Sequence, residues 1–174
     1  MNFKTKAAPS EATPLANGPG SAIPQPDTVS RLLKFPAEND SSINVMAVVD
    51  FAETLLGVPY LYASSDPAKG FDCSGFITYV FNHFGYQVPR SSVDFTDKGR
   101  QVAPANAKRG DLILFTGTDS ASLIVGHMGI ITDNTDSLRF IHSSSGKANG
   151  VTISSMTSHY QARFVKVINI ERGL

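Results

Sequence analysis

Residues 72–85 read DCSGFITYVFNHFG, and their periodicity decides the fold. Cys73, Phe76, Ile77, Val80, Phe81 and Phe84 fall at i, i+3, i+4, i+7, i+8 and i+11, which is one face of an α-helix. Asp72 stands where a short carboxylate can accept from the free N–H groups of the first turn, and Gly85 stands where the helix must stop. Upstream, SSINVMAVVDFAETLLG (41–57) repeats the pattern with Val45, Val48, Val49, Ala52, Leu55 and Leu56. Ser41 or Ser42 serves as its cap, and Gly57 stands just past its end. Downstream the texture changes to short β-branched runs: DLILF (111–115), IVGHMGIIT (124–132), LRFIHS (138–143), GVTIS (150–154) and RFVKVINI (163–170). Turns rich in Gly, Asn, Asp and Ser separate them, and a short polar helix is expected in 91–98. Helices first and strands afterwards predict an α+β fold, with N-terminal helices packed on an antiparallel sheet of about five strands.

The chain has 174 residues, enough for one domain with a real core. Six of its ten prolines lie within residues 1–36, among Ser, Ala, Asn and Gly. Such a stretch buries too little apolar surface to offset its ordering entropy, so 1–40 reads as a tail or linker and 41–174 as the domain. Within the tail, TVSRLLKF (28–35) reads as able to dock locally. The formal net charge is zero and charged residues are 17% of the chain, so neither nucleic acid nor anionic lipid is favoured as a partner. No apolar run approaches the length of a membrane span. The N-terminus has no apolar segment of the secretory type, so no signal peptide is read in the sequence as written. A single cysteine rules out an internal disulfide.

Cys73 falls in the first turn of its helix, where unpaired N–H groups and the positive end of the macrodipole favour a thiolate. The same N–H groups suit an oxyanion developing on an attacked carbonyl. A buried cysteine of the core is the competing reading, and position alone leaves both open. A thiol nucleophile also needs an imidazole, itself oriented by a third group. His83 lies on the same helix, roughly 80° off the Cys73 face and about 15 Å away, and is no partner. His159 reads as a surface residue. His127 and His142 lie in two strands joined by a hairpin-length turn, so pairing can bring them together on one face. Gly126 and Gly129 leave room for another element to approach. Zinc is the rival use of one Cys and two His; without C-x-x-C, H-x-x-x-H or a carboxylate in the same strands, no metal is expected. RGD (109–111) reads as a turn that starts a strand.

In this order, GVPYLYASSDPAKGFDCSGFITYVF, GYQVPRSS, RGDLILF, GHMGIIT, FIHSSS, GVTISSM and RFVKVINI resemble the NlpC-type family, papain-like bacterial cysteine peptidases that cut peptidoglycan stem peptides. The resemblance runs from about residue 43 to 170. It implies a papain-like core, with Cys73 as nucleophile, His127 as general base and His142 as the residue that orients that base. It also implies Tyr60 as a cleft residue for oxyanion or substrate, and Asp72 and Ser74 as contacts to the free amine of the stem peptide. No cofactor is implied. The substrate implied is the stem peptide, cut most often at γ-D-glutamyl–diaminopimelate (or lysine), by a monomer working in the periplasm, cell wall or exterior. An amidase or acyltransferase of the same fold, a delivered antibacterial effector, and a non-catalytic wall-binding module are the alternatives. One departure stands out: the family usually has YGG where this chain has YASS (62–65).

Overall fold

The computed structural model describes residues 44–118 and 121–170. The expected tail, TVSRLLKF included, lies outside these residues, as do Ser41 and Ser42. Helix α1 (Val45–Thr54) is capped by Asn44, whose side chain accepts from the Ala47 N–H at 3.2 Å. It buries Val48, Val49 and Ala52, three of the positions picked out by spacing. Helix α2 (Cys73–His83) keeps the expected phase, with Phe76, Ile77, Val80 and Phe81 buried. Asp72 caps it by accepting from the Gly75 N–H at 2.6 Å. Each of the four buried side chains contributes about 2 kcal/mol of transfer free energy before ordering entropy is subtracted.

A small hairpin, β1 (Ser65–Asp66) with β2 (Gly70–Phe71), lies between the helices. After α2, residues 91–98 hold a single 3-10 turn, Ser92–Phe95, in place of the expected polar helix. The physical reason is one anchor: Phe95 is fully buried, and its burial outweighs the polarity of its neighbours.

The remaining elements are β3 (Arg100–Val102), β4 (Leu112–Thr116), β5 (Val125–Asp133), β6 (Arg139–Ser144), β7 (Gly150–Ser155), the short helix α3 (Ser158–Gln161) and β8 (Phe164–Asn169). The strands form one antiparallel sheet in the order β3-β8-β4-β5-β6-β7. The architecture is the expected α+β, with six strands where about five were expected. The extra strand is Arg-Gln-Val, three residues without apolar alternation, held by pairing Arg100 with Asn169 and Val102 with Val167. Its own sequence carries no strand signal; the free edge of β8 supplies the partner.

Both faces of the sheet are covered. Leu112, Leu114, Met128, Ile130, Ile141 and Ile168 pack with the buried faces of α1 and α2. Ile113, Phe115, Ile131, Phe140 and Val167 form a second cluster, against which Tyr160 of α3 packs. Strand β4 is buried throughout, which is why its sequence is an unbroken apolar run. The RGD turn leads into it as a fastening. Arg109 reaches Asp50 at 2.7 Å, Glu53 at 3.0 Å and the Thr132 carbonyl at 3.0 Å, while Asp111 accepts from Asn169 Nδ2 at 2.6 Å.

Segment 57–71 is laced to the sheet and fixes where α2 begins. Gly57 N–H donates to Val151 O at 2.9 Å, Tyr60 N–H to Asn149 O at 3.0 Å, and Ser143 Oγ to Phe71 O at 2.7 Å. In the YASS loop Ala63 has φ +59°, in the left-handed region. The Ser64 carbonyl then accepts from the Asp72 N–H at 3.0 Å. A Cβ on Gly75 would sit 2.0 Å from that carbonyl oxygen, so only glycine fits the first turn of α2 there.

Candidate active site

Cys73 is the first residue of α2 and is half-buried, its Sγ 3.9 Å from the carbonyl oxygen of Gly126. His127 follows directly on β5, and both side chains line one cavity of about 780 Å³. The β5–β6 register pairs Ile130 with Ile141 and Ile131 with Phe140, so His142 comes one step further, beside Gly129. A Cβ on Gly129 would meet His142 Cβ at 3.2 Å and Phe140 at 2.8 Å. The glycine thus leaves the space through which the His142 ring leans toward its diagonal neighbour. His127 Nε2 and His142 Nδ1 are 2.8 Å apart. The two histidines therefore meet as expected, on the diagonal rather than directly opposite. Gly126 serves a different approach, since its Cβ would lie 2.6 Å from Gly117 Cα.

His142 is fully buried. Its Nε2 lies 2.9 Å from Ser154 Oγ on β7 and 3.4 Å from the Tyr160 hydroxyl. On β7 its direct partner is Thr152, so Ser154 is again a diagonal neighbour. A chain of polar groups, His127–His142–Ser154, thus runs across three adjacent strands. Tyr60 lines the cavity with Cys73. Asp72 and Ser74 do not: both are buried, and both are engaged by Arg90. Arg90 donates to Asp72 Oδ2 at 2.7 Å and Oδ1 at 3.0 Å, and to Ser74 Oγ at 3.1 Å. Their polar atoms are spent on holding the start of α2 rather than aimed into the cavity.

His83 is stacked on Phe51 at 3.8 Å, away from the cavity. His159 is exposed as expected, yet it lines the cavity and lies 3.1 Å from Arg163 Nη1. Ser154, Tyr160, Arg163 and the β6–β7 loop with Lys147 also line it, and none of them was singled out from sequence. Ser154 can be found only through the strand register. Arg163 stands at the head of RFVKVINI, a run read for its apolar residues.

A family model described as the NlpC/P60 family matches residues 57–169. The chain belongs to the NlpC/P60 family. It is 40% identical to the gamma-DL-glutamyl hydrolase of Bacillus subtilis (strain 168) over 114 residues, which are 65% of this chain and 26% of that protein. It is 33% identical over 162 residues to the peptidoglycan endopeptidase RipB of Mycobacterium tuberculosis (strain ATCC 25618 / H37Rv), covering 85% of this chain and 62% of RipB. The chain therefore spans between about a quarter and two thirds of the length of these curated relatives. An NlpC/P60 family protein from Bacillus cereus ATCC 10987 superimposes with a TM-score of 0.65 at 25% identity, over 74% of this chain and 41% of that one.

The electrostatics of this NlpC/P60 domain differ from the sequence expectation at one point. Burial pushes the Cys73 thiol above its ordinary range, and the Asp72 carboxylate adds to the effect. Backbone N–H groups of Ser74, Met128 and Cys73 itself act in the opposite sense without cancelling it. The thiolate expected at the helix N-terminus is thus not the resting state. The physical reason lies next door: burial, followed by the influence of His142, Arg163 and His159, drives His127 well below the usual histidine range. A neutral imidazole offers the sulfur no compensating charge. His142 is lowered to about 4, by burial first and Arg163 second. Tyr60 is raised by burial and by the neighbouring Cys73 and Asp72. Among the described residues, no group of three or more His, Cys, Asp and Glu is placed to hold a metal ion.

Proposed function

We propose that this chain is a cysteine endopeptidase that hydrolyses an amide bond of peptidoglycan stem peptides, at γ-D-glutamyl–diaminopimelate or γ-D-glutamyl–lysine. The observation that carries the proposal is the junction of Cys73, at the head of α2, with the His127–His142–Ser154 chain in one cavity. The names of the two curated relatives, a glutamyl hydrolase and a peptidoglycan endopeptidase, support the substrate class.

In this mechanism the resting pair is thiol and neutral imidazole. His127 Nε2–H donates to His142 Nδ1, and His142 Nε2–H donates to Ser154 Oγ, the one arrangement that leaves His127 Nδ1 as a free base for Cys73. As Sγ bonds to the scissile carbonyl carbon, its proton passes to His127 Nδ1. The backbone N–H of Cys73 and the Tyr60 hydroxyl meet the oxyanion. Collapse of the tetrahedral intermediate breaks the C–N bond, and His127 returns the proton to the leaving amine. Water then attacks the thioester and gives a proton to His127, which passes it to the departing sulfur. His142 holds the tautomer and ring angle of His127, as the third member of a triad does. Every residue in these roles comes from one chain, so the proposed mechanism needs no second copy, and a peptidoglycan substrate would put that work outside the cytoplasmic membrane. Among the described residues, no helix is long and apolar enough to cross a membrane.

The test is mass spectrometry of muropeptides and defined stem peptides after digestion. The wild-type chain is expected to convert them to fragments cut after D-glutamate, and Cys73→Ala to convert none. Full activity in Cys73→Ala would refute the assignment.

A further inference from the structure

Tyr60 enters the cavity from a backbone that is held on both sides. On one side stands Phe71 of β2, two residues before Cys73. Its N–H donates to the Pro59 carbonyl at 3.0 Å, and its carbonyl accepts from the Leu61 N–H at 3.0 Å. On the other side, the Tyr60 N–H donates to the Asn149 carbonyl at 3.0 Å. Next to it, the Val151 carbonyl accepts from the Gly57 N–H and the Val151 N–H donates to the Val58 carbonyl, both at 2.9 Å. Two glycines allow backbones to come this close. A Cβ on Gly70 would lie 2.5 Å from the Pro59 carbonyl oxygen, and one on Gly150 2.5 Å from that of Val58. Tyr60 is thus clasped between the strand that leads into α2 and the β6–β7 turn.

The turn side of this clasp depends on one backbone conformation. The Asn149 N–H donates to the Gly146 carbonyl at 2.9 Å and closes a turn over Lys147 and Ala148. Asn149 itself has φ +44°, in the left-handed region that Gly and Asn enter at the least cost. From there the chain runs into β7 at Gly150, and the Asn149 carbonyl is presented to the Tyr60 N–H. The Asn149 side chain is exposed, so the residue acts through its conformation. Residues 144–148 of the same connection line the cavity, so the element that holds the Tyr60 backbone is also a wall of the site. We propose that Asn149 is a positioning residue of this active site, whose left-handed backbone sets the Tyr60 hydroxyl where it meets the oxyanion formed at Cys73. The inference rests on the hydrolase reading above for the oxyanion, but the placement of Tyr60 is tested without turnover.

Two variants separate conformation from side chain. Asn149→Val puts a β-branched residue where it fits only with strain, whereas Asn149→Gly keeps the left-handed backbone open. The Phe71 side of the clasp remains in both. With tyrosine labelled by carbon-13 at Cζ, NMR titration reads the Tyr60 hydroxyl, which burial and the neighbouring Cys73 and Asp72 raise above the ordinary tyrosine range. In Asn149→Val the hydroxyl is expected to fall back toward that range, and in Asn149→Gly to stay raised. On a stem peptide, Tyr60→Phe should lower kcat about a hundredfold, the scale of a lost oxyanion donor. Asn149→Val should lower it about tenfold with KM little changed, and Asn149→Gly should recover most of that. The double variant Tyr60→Phe, Asn149→Val should be no slower than Tyr60→Phe alone, because both changes remove the same contact. A residue that only stabilised the turn would lower the melting temperature and leave the Tyr60 titration where it was. An unmoved titration, an equal kcat loss in Asn149→Gly, or losses that multiply in the double variant would overturn the proposal. Should Asn149→Val fail to fold, Asn149→Ala carries the same readouts with smaller shifts, since this fold already holds an alanine at φ +59° in Ala63. A wild-type chain that hydrolyses no stem peptide, with the Tyr60 titration still moved by Asn149→Val and not by Asn149→Gly, would overturn the hydrolase reading and leave the placement of Tyr60 standing.

Discussion

At the scale of single residues, the site rests on proton placement between groups that are neutral when the protein is at rest. Burial raises the Cys73 thiol and lowers His127. Alkylation of Cys73 by iodoacetamide should therefore stay slow through neutral pH and accelerate only above the pH at which free cysteine does. A rate plateau already reached near pH 6 would show a resting thiolate and contradict this. The lowered His127 sets the other limb: the base stays unprotonated on acidification, so kcat/KM on a stem peptide should hold until the pH falls well below 6.5. Ser154 is a positioning residue, acting through His142 at 2.9 Å. In Ser154→Ala, kcat should fall about tenfold with KM unchanged, the worth of one hydrogen bond that strengthens as charge develops. Ser154→Thr, which restores the hydroxyl, should recover most of it. An equal loss in the threonine variant would point to packing instead. Cys73 and the two histidines were legible as residue types in promising segments. Ser154 and Arg163 were not, because serines and arginines occur everywhere and only the register selects these.

At the scale of elements, the start of α2 is the part most tightly constrained by geometry. Gly75 sits against the Ser64 carbonyl, a backbone atom that cannot swing aside. Gly75→Ala is therefore expected to cost several kcal/mol or prevent folding, read from urea denaturation. Ala63 presents the opposite case. Its φ of +59° puts an alanine where glycine carries no steric cost. Ala63→Gly should stabilise the fold by about 1 kcal/mol, the steric relief reduced by the added chain entropy of glycine. A loss of stability would show that the loop backbone is not strained. YASS thus puts a residue with a side chain in the left-handed region, at an energetic cost. Helices α1 and α2 could be read from sequence because 3.6-residue periodicity is a local signal, and the five longer strands because β-branched runs are. The short helix expected in 91–98 is there as a single 3-10 turn at Ser92–Phe95, pinned by one buried phenylalanine, whereas strand β3 could not be read, because a neighbouring edge decides it.

At the scale of the whole molecule, the buried histidines make stability depend on pH. His142 titrates near 6.5 when unfolded and at about 4 when folded, so the unfolded chain takes the proton first. Its contribution is complete above pH 6.5 and is lost as the pH falls toward 4. The gap between those values corresponds to about 3 kcal/mol, and His127 acts in the same direction. The melting temperature should therefore decline between pH 6.5 and 4, and decline less in His142→Gln; parallel curves for the two proteins would refute the assignment. What sequence alone determined was the class of the fold, the helix that carries Cys73, and the family motifs in order, because each is written in near neighbours along the chain. What tertiary structure decided was the rest of the site: the diagonal His127–His142–Ser154 chain, the withdrawal of Asp72 and Ser74 to Arg90, the resting neutrality of the thiol, and the clasp of Tyr60 between Phe71 and Asn149. Those properties depend on register, burial and the summed field of groups far apart in sequence, which no local pattern encodes.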